Sequence, residues 1–233
     1  MTAQALIPIA ALTTVLTLKS DTQPIKVYVR KPRGTLYWGG AGLDGSYISL
    51  TAKAFRNAGI GTFNVGLTNT ATKTLLGDAG MFIDALRAGL TIRYQDDSEW
   101  TIASGMTGDA PQFNLIGYSY GSLLAAQTAN FYARQGHVVD HLVLIGSPID
   151  ATFLAALQAS KGIRKIIVID LSEHGDPIHA GISQLDLVGA APVLGRQMKA
   201  NKGEGHFYYA HATPELARRL DELAGRLVAQ GLK

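Results

Sequence analysis

Residues 114–127 read NLIGYSYGSLLAAQ: an apolar approach, a Gly-Tyr-Ser-Tyr-Gly centre, and an exit of helical character. A serine between two glycines, where a strand gives way to a helix, has two physical readings. One is a tight turn with a polar residue at its apex. The other is a sharp strand-to-helix turn that lifts the hydroxyl above a sheet and makes it a nucleophile. The flanks favour the second. FNLI leads in as a buried strand, and SLLAAQTANF leads out with Ala125 and Ala126 small enough for close packing. Larger residues at Gly117 and Gly121 would collide as the chain doubles back, and the serine backbone between them is expected to be strained. The helix that follows sets its N-terminus beneath the hydroxyl, so developing negative charge meets backbone N–H groups.

Outward from this turn, short apolar strands alternate with helices. Downstream, the strand at 112–117 and the helix at 121–135 are followed by a strand (HLVLIGS), a helix at 150–160 and a strand (IRKIIVIDL). Upstream lie a buried strand (GTLYWGG), a helix from Ser46 to Asn57 and a strand (IGTFNVG). Phe55 of that helix is a candidate to pack on the sheet, and Ala58-Gly59 ends it. Nearer the start, LTTVLTL at 12–18 and IKVYVR at 25–30, joined by KSDTQP, form an expected antiparallel hairpin. Residues 73–89 read as an amphipathic helix with Leu75, Phe82, Ile83 and Leu86 inward; residues 91–111 are irregular, and 172–205 are loop-rich. The last helix carries Leu216, Leu220, Leu223 and Leu227 on one face, with Thr213 before it, Pro214 at its first position and Glu215 behind. Alternating strands and helices imply an α/β fold, a largely parallel sheet covered on both faces. With no repeat or linker, residues 1–233 are expected to form a single domain.

Composition limits the chemistry. Of 233 residues, 47% are hydrophobic and 17% charged, as in a globular protein with a sizeable core. The net charge of +3 is spread along the chain, densest at Arg30, Lys31 and Arg33, so no nucleic-acid partner is expected and peripheral contact with an anionic membrane is conceivable. There is no cysteine, which excludes disulfides, thiolate nucleophiles and cysteine metal sites. No apolar run reaches the length of a membrane span. The opening MTAQALIPIAALTTVLTLKSD lacks a basic start and a small-residue cleavage site, so a cytoplasmic location is expected, with secretion by a signal-free route left open.

On the Gly-x-Ser-x-Gly turn at 117–121, its strand and its helix, the chain resembles the α/β-hydrolase superfamily, of the serine esterase and lipase type, over nearly its whole length. The resemblance implies that fold, with a mostly parallel central sheet and helices on both faces. The link between LIGSP and IRKIIVIDL is too short for a large cap domain, so any lid comes from 66–111 or from the apolar 178–200 loop. It also implies Ser119 as nucleophile, then an acid, then a histidine, in that chain order. Serine needs a base to take its proton, and the base needs an acid to fix its tautomer. Asp176, in the Gly-Asp-Pro turn after IRKIIVIDL, fits the acid; Asp170 and Glu173 are the alternatives. His206, between Gly205 and Phe207 before the last helix, fits the base, with His211 as its rival. His137, His141, His174 and His179 read as surface or loop positions, and no histidine spacing suggests a metal.

Acyl transfer also needs two donors for the oxyanion. The N–H of Tyr120 is one. The other falls on Gly40 or Ala41, in the loop after GTLYW, where the superfamily commonly has His-Gly and this chain has Trp38-Gly39-Gly40. The same loop fits G-x-G-x-x-G at 40–45, a dinucleotide fingerprint. No acidic residue lies between Asp44 and Asp78 to hold a ribose, so no cofactor is expected. The resulting expectation is a serine hydrolase cleaving carboxylic esters of acyl chains through an acyl-enzyme. Phospholipid or thioester substrates are the variants of it, a non-catalytic small-molecule receptor is the other class, and the oligomeric state is left open.

Overall fold

A computed structural model gives the architecture and describes residues 32–40, 46–66 and 109–233. The expected hairpin at 12–30, the helix at 73–89, nearly all of the possible lid at 66–111, and Ala41 lie outside the described residues. Five strands are formed: β1 (Gly34–Trp38), β2 (Phe63–Val65), β3 (Phe113–Tyr118), β4 (Val139–Ile145) and β5 (Ile163–Ile169). All pair in parallel, in the order β2-β1-β3-β4-β5. Among the described residues β5 has β4 as its single neighbour. The helices are α1 (Ser46–Asn57), α2 (Tyr120–Arg134), α3 (Ala151–Gln158), α4 (Gln184–Ala200) and α5 (Leu216–Ala229), with 3₁₀ turns at Ser172–His174 and Gly205–Phe207.

The strand sequences explain the layers. Successive side chains leave a strand on opposite faces, and here both faces are apolar. Leu36, Trp38, Leu115, Leu142 and Leu144 join Leu123, Leu124 and Ala129 of α2 and Phe153 and Leu157 of α3 in one core. Tyr37, Ile116, Tyr118, Val143, Ile145 and Ile167 join Phe55 of α1 and Leu216, Leu220, Leu223 and Leu227 of α5 in the other. The result is an α/β fold of the α/β-hydrolase type. From β1 the chain runs outward to β2, then returns to the far side of β1 to build β3, β4 and β5. This reversal opens a crevice at the carboxyl ends of β1 and β3, where ligands of such sheets bind.

Three expectations need correction. The stretch 172–205 is not loop-rich, because α4 occupies 17 of its residues, and so most of the 178–200 segment is helical rather than a loop. Gly189, Pro192 and Gly195 lower its intrinsic helix preference, but burial of Leu187, Ala190 and Leu194 against Ile178 and Ile182 overrides it. Its ends are well signalled. Ser183 Oγ accepts the Asp186 N–H at 3.1 Å and donates to Asp186 Oδ2 at 2.6 Å, while Asn201 closes the helix in the left-handed region at φ 52°. At α5, Pro214 is not the first helical residue. It sits in a turn closed by the Leu216 N–H on the Thr213 carbonyl at 3.1 Å, and the helix starts at Leu216.

His141, third, is not a surface or loop residue but a buried residue of β4. Register explains why a polar side chain is tolerated there. Thr35, Asn114, His141 and Lys165 stand in one row across four strands. Asn114 Nδ2 donates to Thr35 Oγ1 at 3.0 Å, His141 Nδ1 meets Asn114 Oδ1 at 2.9 Å, and Lys165 Nζ donates to the Gln230 carbonyl at 2.7 Å. Burial lowers the His141 pKa, Asp140 opposing and Lys165 adding to the effect.

Candidate active site

Ser119 follows β3 directly and caps the N-terminus of α2, with φ 54° and ψ −124°. A non-glycine residue rarely holds a positive φ, so the neighbours must impose it. Its N–H donates to the Ile145 carbonyl at 2.8 Å, and its own carbonyl accepts the Ser122 N–H at 3.0 Å and the Ser122 hydroxyl at 2.5 Å. Ser122 Oγ also shares a 2.7 Å hydrogen bond with Ser147 Oγ, which ties the turn to the loop after β4. The two glycines have separate duties. A Cβ on Gly117 would strike the backbone of Gly121 and Ser122, where the chain doubles back. A Cβ on Gly121 would strike the carbonyls of Trp38 and Gly39, so that glycine lets α2 press against the end of β1.

The topology brings the three sequence-predicted side chains together. Ser119 Oγ lies 2.6 Å from His206 Nε2, and His206 Nδ1 lies 2.8 Å from Asp176 Oδ2. The carboxylate accepts only, so Nδ1 carries a hydrogen and Nε2 is left to accept from the serine hydroxyl. The side chains of His206 and Asp176 are 6% and 0% exposed, which keeps water from competing for this bond. Asp176 is itself fixed, its Oδ1 accepting the Ile178 N–H at 2.8 Å and its own N–H donating to the Leu171 carbonyl at 3.1 Å. Gly146, at φ 51°, passes beneath the pair. A Cβ there would stand 3.3 Å from Asp176 Oδ2 and 3.5 Å from His206 Cε1.

The alternative residues are engaged elsewhere. Asp170 Oδ1 accepts the Ala180 N–H at 2.9 Å, and Glu173 pairs with His174 at 3.4 Å. His211 stacks on Phe207 with centroids 4.6 Å apart, and burial lowers its pKa. His174 stacks on Tyr208 at 3.6 Å, and His179 Nδ1 meets the Ala180 carbonyl at 3.1 Å. Among the described residues no group of three or more His, Asp or Glu side chains is gathered to hold a metal, and no helix is long and apolar enough to cross a membrane.

Tyr120 is the first residue of α2, at the positive end of the helix dipole and next to Ser119. Gly40, the other expected position, is held from within. Its N–H donates to Tyr47 Oη at 3.0 Å inside the protein, so the hydroxyl of α1 holds that peptide. Gly39 is pressed on the same ring, since a Cβ there would collide with Tyr47 Oη.

Two side chains that the sequence did not single out brace His206. Tyr118, between Gly117 and Ser119, stacks beside the imidazole at 5.7 Å and 20°, and its hydroxyl donates to the His206 carbonyl. Burial, and then the Asp176 carboxylate, push the Tyr118 phenol well above its ordinary pKa, so it stays a donor. Gln197 of α4 accepts the His206 N–H at 3.0 Å. The middle position of a Gly-x-Ser turn is a signal available in the sequence. A glutamine in a helix interrupted by glycine and proline is not.

Comparison with known proteins adds one finding. A thioesterase domain family model matches residues 102–165. The segment holds β3, the turn, α2, β4, α3 and the start of β5; it includes Ser119 and ends before Asp176 and His206. Thioesterase domains of this family are serine esterases of the α/β-hydrolase type, in agreement with the all-parallel sheet. No curated protein and no solved structure matches the chain.

Proposed function

We propose that the protein is a serine hydrolase of acyl esters that works through an acyl-enzyme on Ser119, His206 and Asp176. One observation carries this reading: an unbroken chain of hydrogen bonds from the strained serine hydroxyl through the imidazole to a fully buried carboxylate. As Ser119 Oγ bonds to the acyl carbon, its proton passes to His206 Nε2 and the carbonyl electron pair moves onto oxygen. The N–H of Tyr120 and, with Gly40 held by Tyr47, the N–H of Ala41 are the donors proposed for that oxyanion. The pair then returns, the bond to the leaving alcohol or thiol breaks, and the imidazolium supplies the proton. Water repeats the sequence, giving its proton to His206 as it attacks the acyl carbon, and Ser119 recovers its hydrogen when its bond breaks. Asp176 holds the tautomer and steadies the imidazolium.

Among acyl substrates, thioesters are the second reading, favoured by the thioesterase match across the nucleophile segment. The test is turnover of p-nitrophenyl esters and of acyl-CoA thioesters of graded chain length by wild type and Ser119→Ala, beside labelling with a fluorophosphonate. We expect Ser119→Ala to lose on the order of 10³–10⁶ in kcat and all label. Wild-type turnover no faster than the variant on every substrate would sink the reading and leave a binding protein. Turnover of thioesters alone would select the second form.

A further inference from the structure

Resting on that reading of the site, we infer that Gln197 is a positioning residue that clamps the acid turn to the base turn and makes α4 part of the catalytic apparatus. Asp176 and His206 sit on separate turns, 30 residues apart in the chain. Each turn carries glycine in the left-handed region, Gly175 at φ 87° and Gly205 at φ 55°, and such short segments do not hold their mutual distance unaided. The carboxamide of Gln197 joins them. Its Nε2 donates to the Gly175 carbonyl at 2.8 Å, one residue before the acid. Its Oε1 accepts the His206 N–H at 3.0 Å, on the base itself. The fit is close enough to dictate a neighbour, because a Cβ on Gly205 would collide with all three heavy atoms of that amide.

The chemistry of the side chain matters. The clamp needs a donor and an acceptor on one rigid plane at the end of a two-carbon arm, and glutamine supplies both. Glutamate would face the Gly175 carbonyl with a second acceptor, methionine would keep the volume and lose both bonds, and asparagine would fall short. The anchor has its own character. Leu187, Ala190 and Leu194 of α4 pack in a small cluster with Ile178 and Ile182, while Met198, beside Gln197, meets the second sheet core. Gln197 is thus the side chain through which this anchored helix holds both turns by hydrogen bonds.

The experiment compares wild type, Gln197→Met, Asp176→Asn and the double variant. It follows kcat and KM across pH, and by NMR the His206 Nδ1–H resonance and imidazole titration. Net hydrogen-bond values put the expected kcat loss of Gln197→Met at roughly tenfold, with KM little changed. A carboxylate held less firmly against the imidazole favours its charged form less, so the acid limb of the kcat profile moves to lower pH and the Nδ1–H resonance moves upfield. In the Asp176→Asn background Gln197→Met costs nothing further, because its effect runs through the pair already broken. An equal loss in both backgrounds, or a folded Gln197→Met with unchanged resonance and titration, overturns the inference. Gln197→Leu, likewise uncharged and without either hydrogen bond, substitutes if the methionine variant does not fold. Should wild type turn over no ester or thioester, the hydrolase reading fails by itself, while the NMR arms still decide whether Gln197 sets the imidazole.

Discussion

At Ser119 the backbone stores strain that three hydrogen bonds hold in place. A non-glycine residue in such a region costs about 1–3 kcal/mol. Three hydrogen bonds, from its own N–H and to its carbonyl, each contribute about 0.5–1.5 kcal/mol net, enough to offset it. Tyr118 next door does a different job, gripping His206 by ring and hydroxyl together. Tyr118→Phe keeps the ring and removes the donor, leaving a buried carbonyl short of a partner. The expected outcome is a several-fold fall in kcat with KM nearly unchanged, read from steady-state kinetics on the best ester. A rise confined to KM would assign the hydroxyl to substrate binding instead. Ser119, Asp176 and His206 were legible because each lies in a local pattern whose chemistry can be stated from sequence alone. Tyr118 stood inside one of those patterns, yet its partner is 88 positions away, and nothing local announces such a bond.

Elements meet at the site through glycine. Gly121 lets the first turn of α2 lie on the carbonyls of Trp38 and Gly39, which keeps Ser119 beside the loop after β1. The sequence suggested a collision within the turn; for Gly117 the contacts are within the turn, but for Gly121 they are with another strand. Gly121→Ala is therefore expected to separate two elements rather than distort one. Overpacking of this kind costs about 1–3 kcal/mol, and the urea midpoint should fall accordingly. Fluorophosphonate labelling should fall much further than the folded fraction does, since the serine and the Gly39–Gly40 loop lose their register. Labelling that merely tracks the folded fraction would show that close approach of these elements is unnecessary. The helix that escaped the sequence reading, α4, shows the opposite lesson. Ser183 and Asn201 mark its ends plainly. Gly189, Pro192 and Gly195 within it argue against helix, and only the tertiary burial of Leu187, Ala190 and Leu194 settles the balance.

Across the whole molecule, the reversal of strand order places Ser119 at the carboxyl edge of the sheet with His206 and Asp176 beside it, and the polar row lies toward the opposite ends of the strands. Its histidine makes stability depend on pH with a definite sign. Burial lowers the His141 pKa in the folded protein, and an unfolded histidine titrates near about 6.5. Between the two values the unfolded chain binds more protons, so this contribution is full above about pH 6.5 and is lost as pH falls toward the folded value. His211, shifted in the same direction by burial, adds to it. The urea midpoint should drop between pH 7.5 and pH 5, and His141→Gln, which keeps an amide facing Asn114, should flatten part of that drop. An identical slope in the variant would assign the dependence to other groups.

Strand β5 also bears on how copies of the molecule treat one another. Its heptad, IRKIIVI, is rich in β-branched residues and, among the described residues, is paired on one flank alone. A flat apolar border of that kind is a template on which chains can zip together into fibres. Arg164 there is paired with Asp140 at 2.5 Å, while Lys165 stands exposed beside it, and a lysine on a border strand works against such edge-to-edge joining. One lysine placed on that border makes joining of neighbouring copies along it costly.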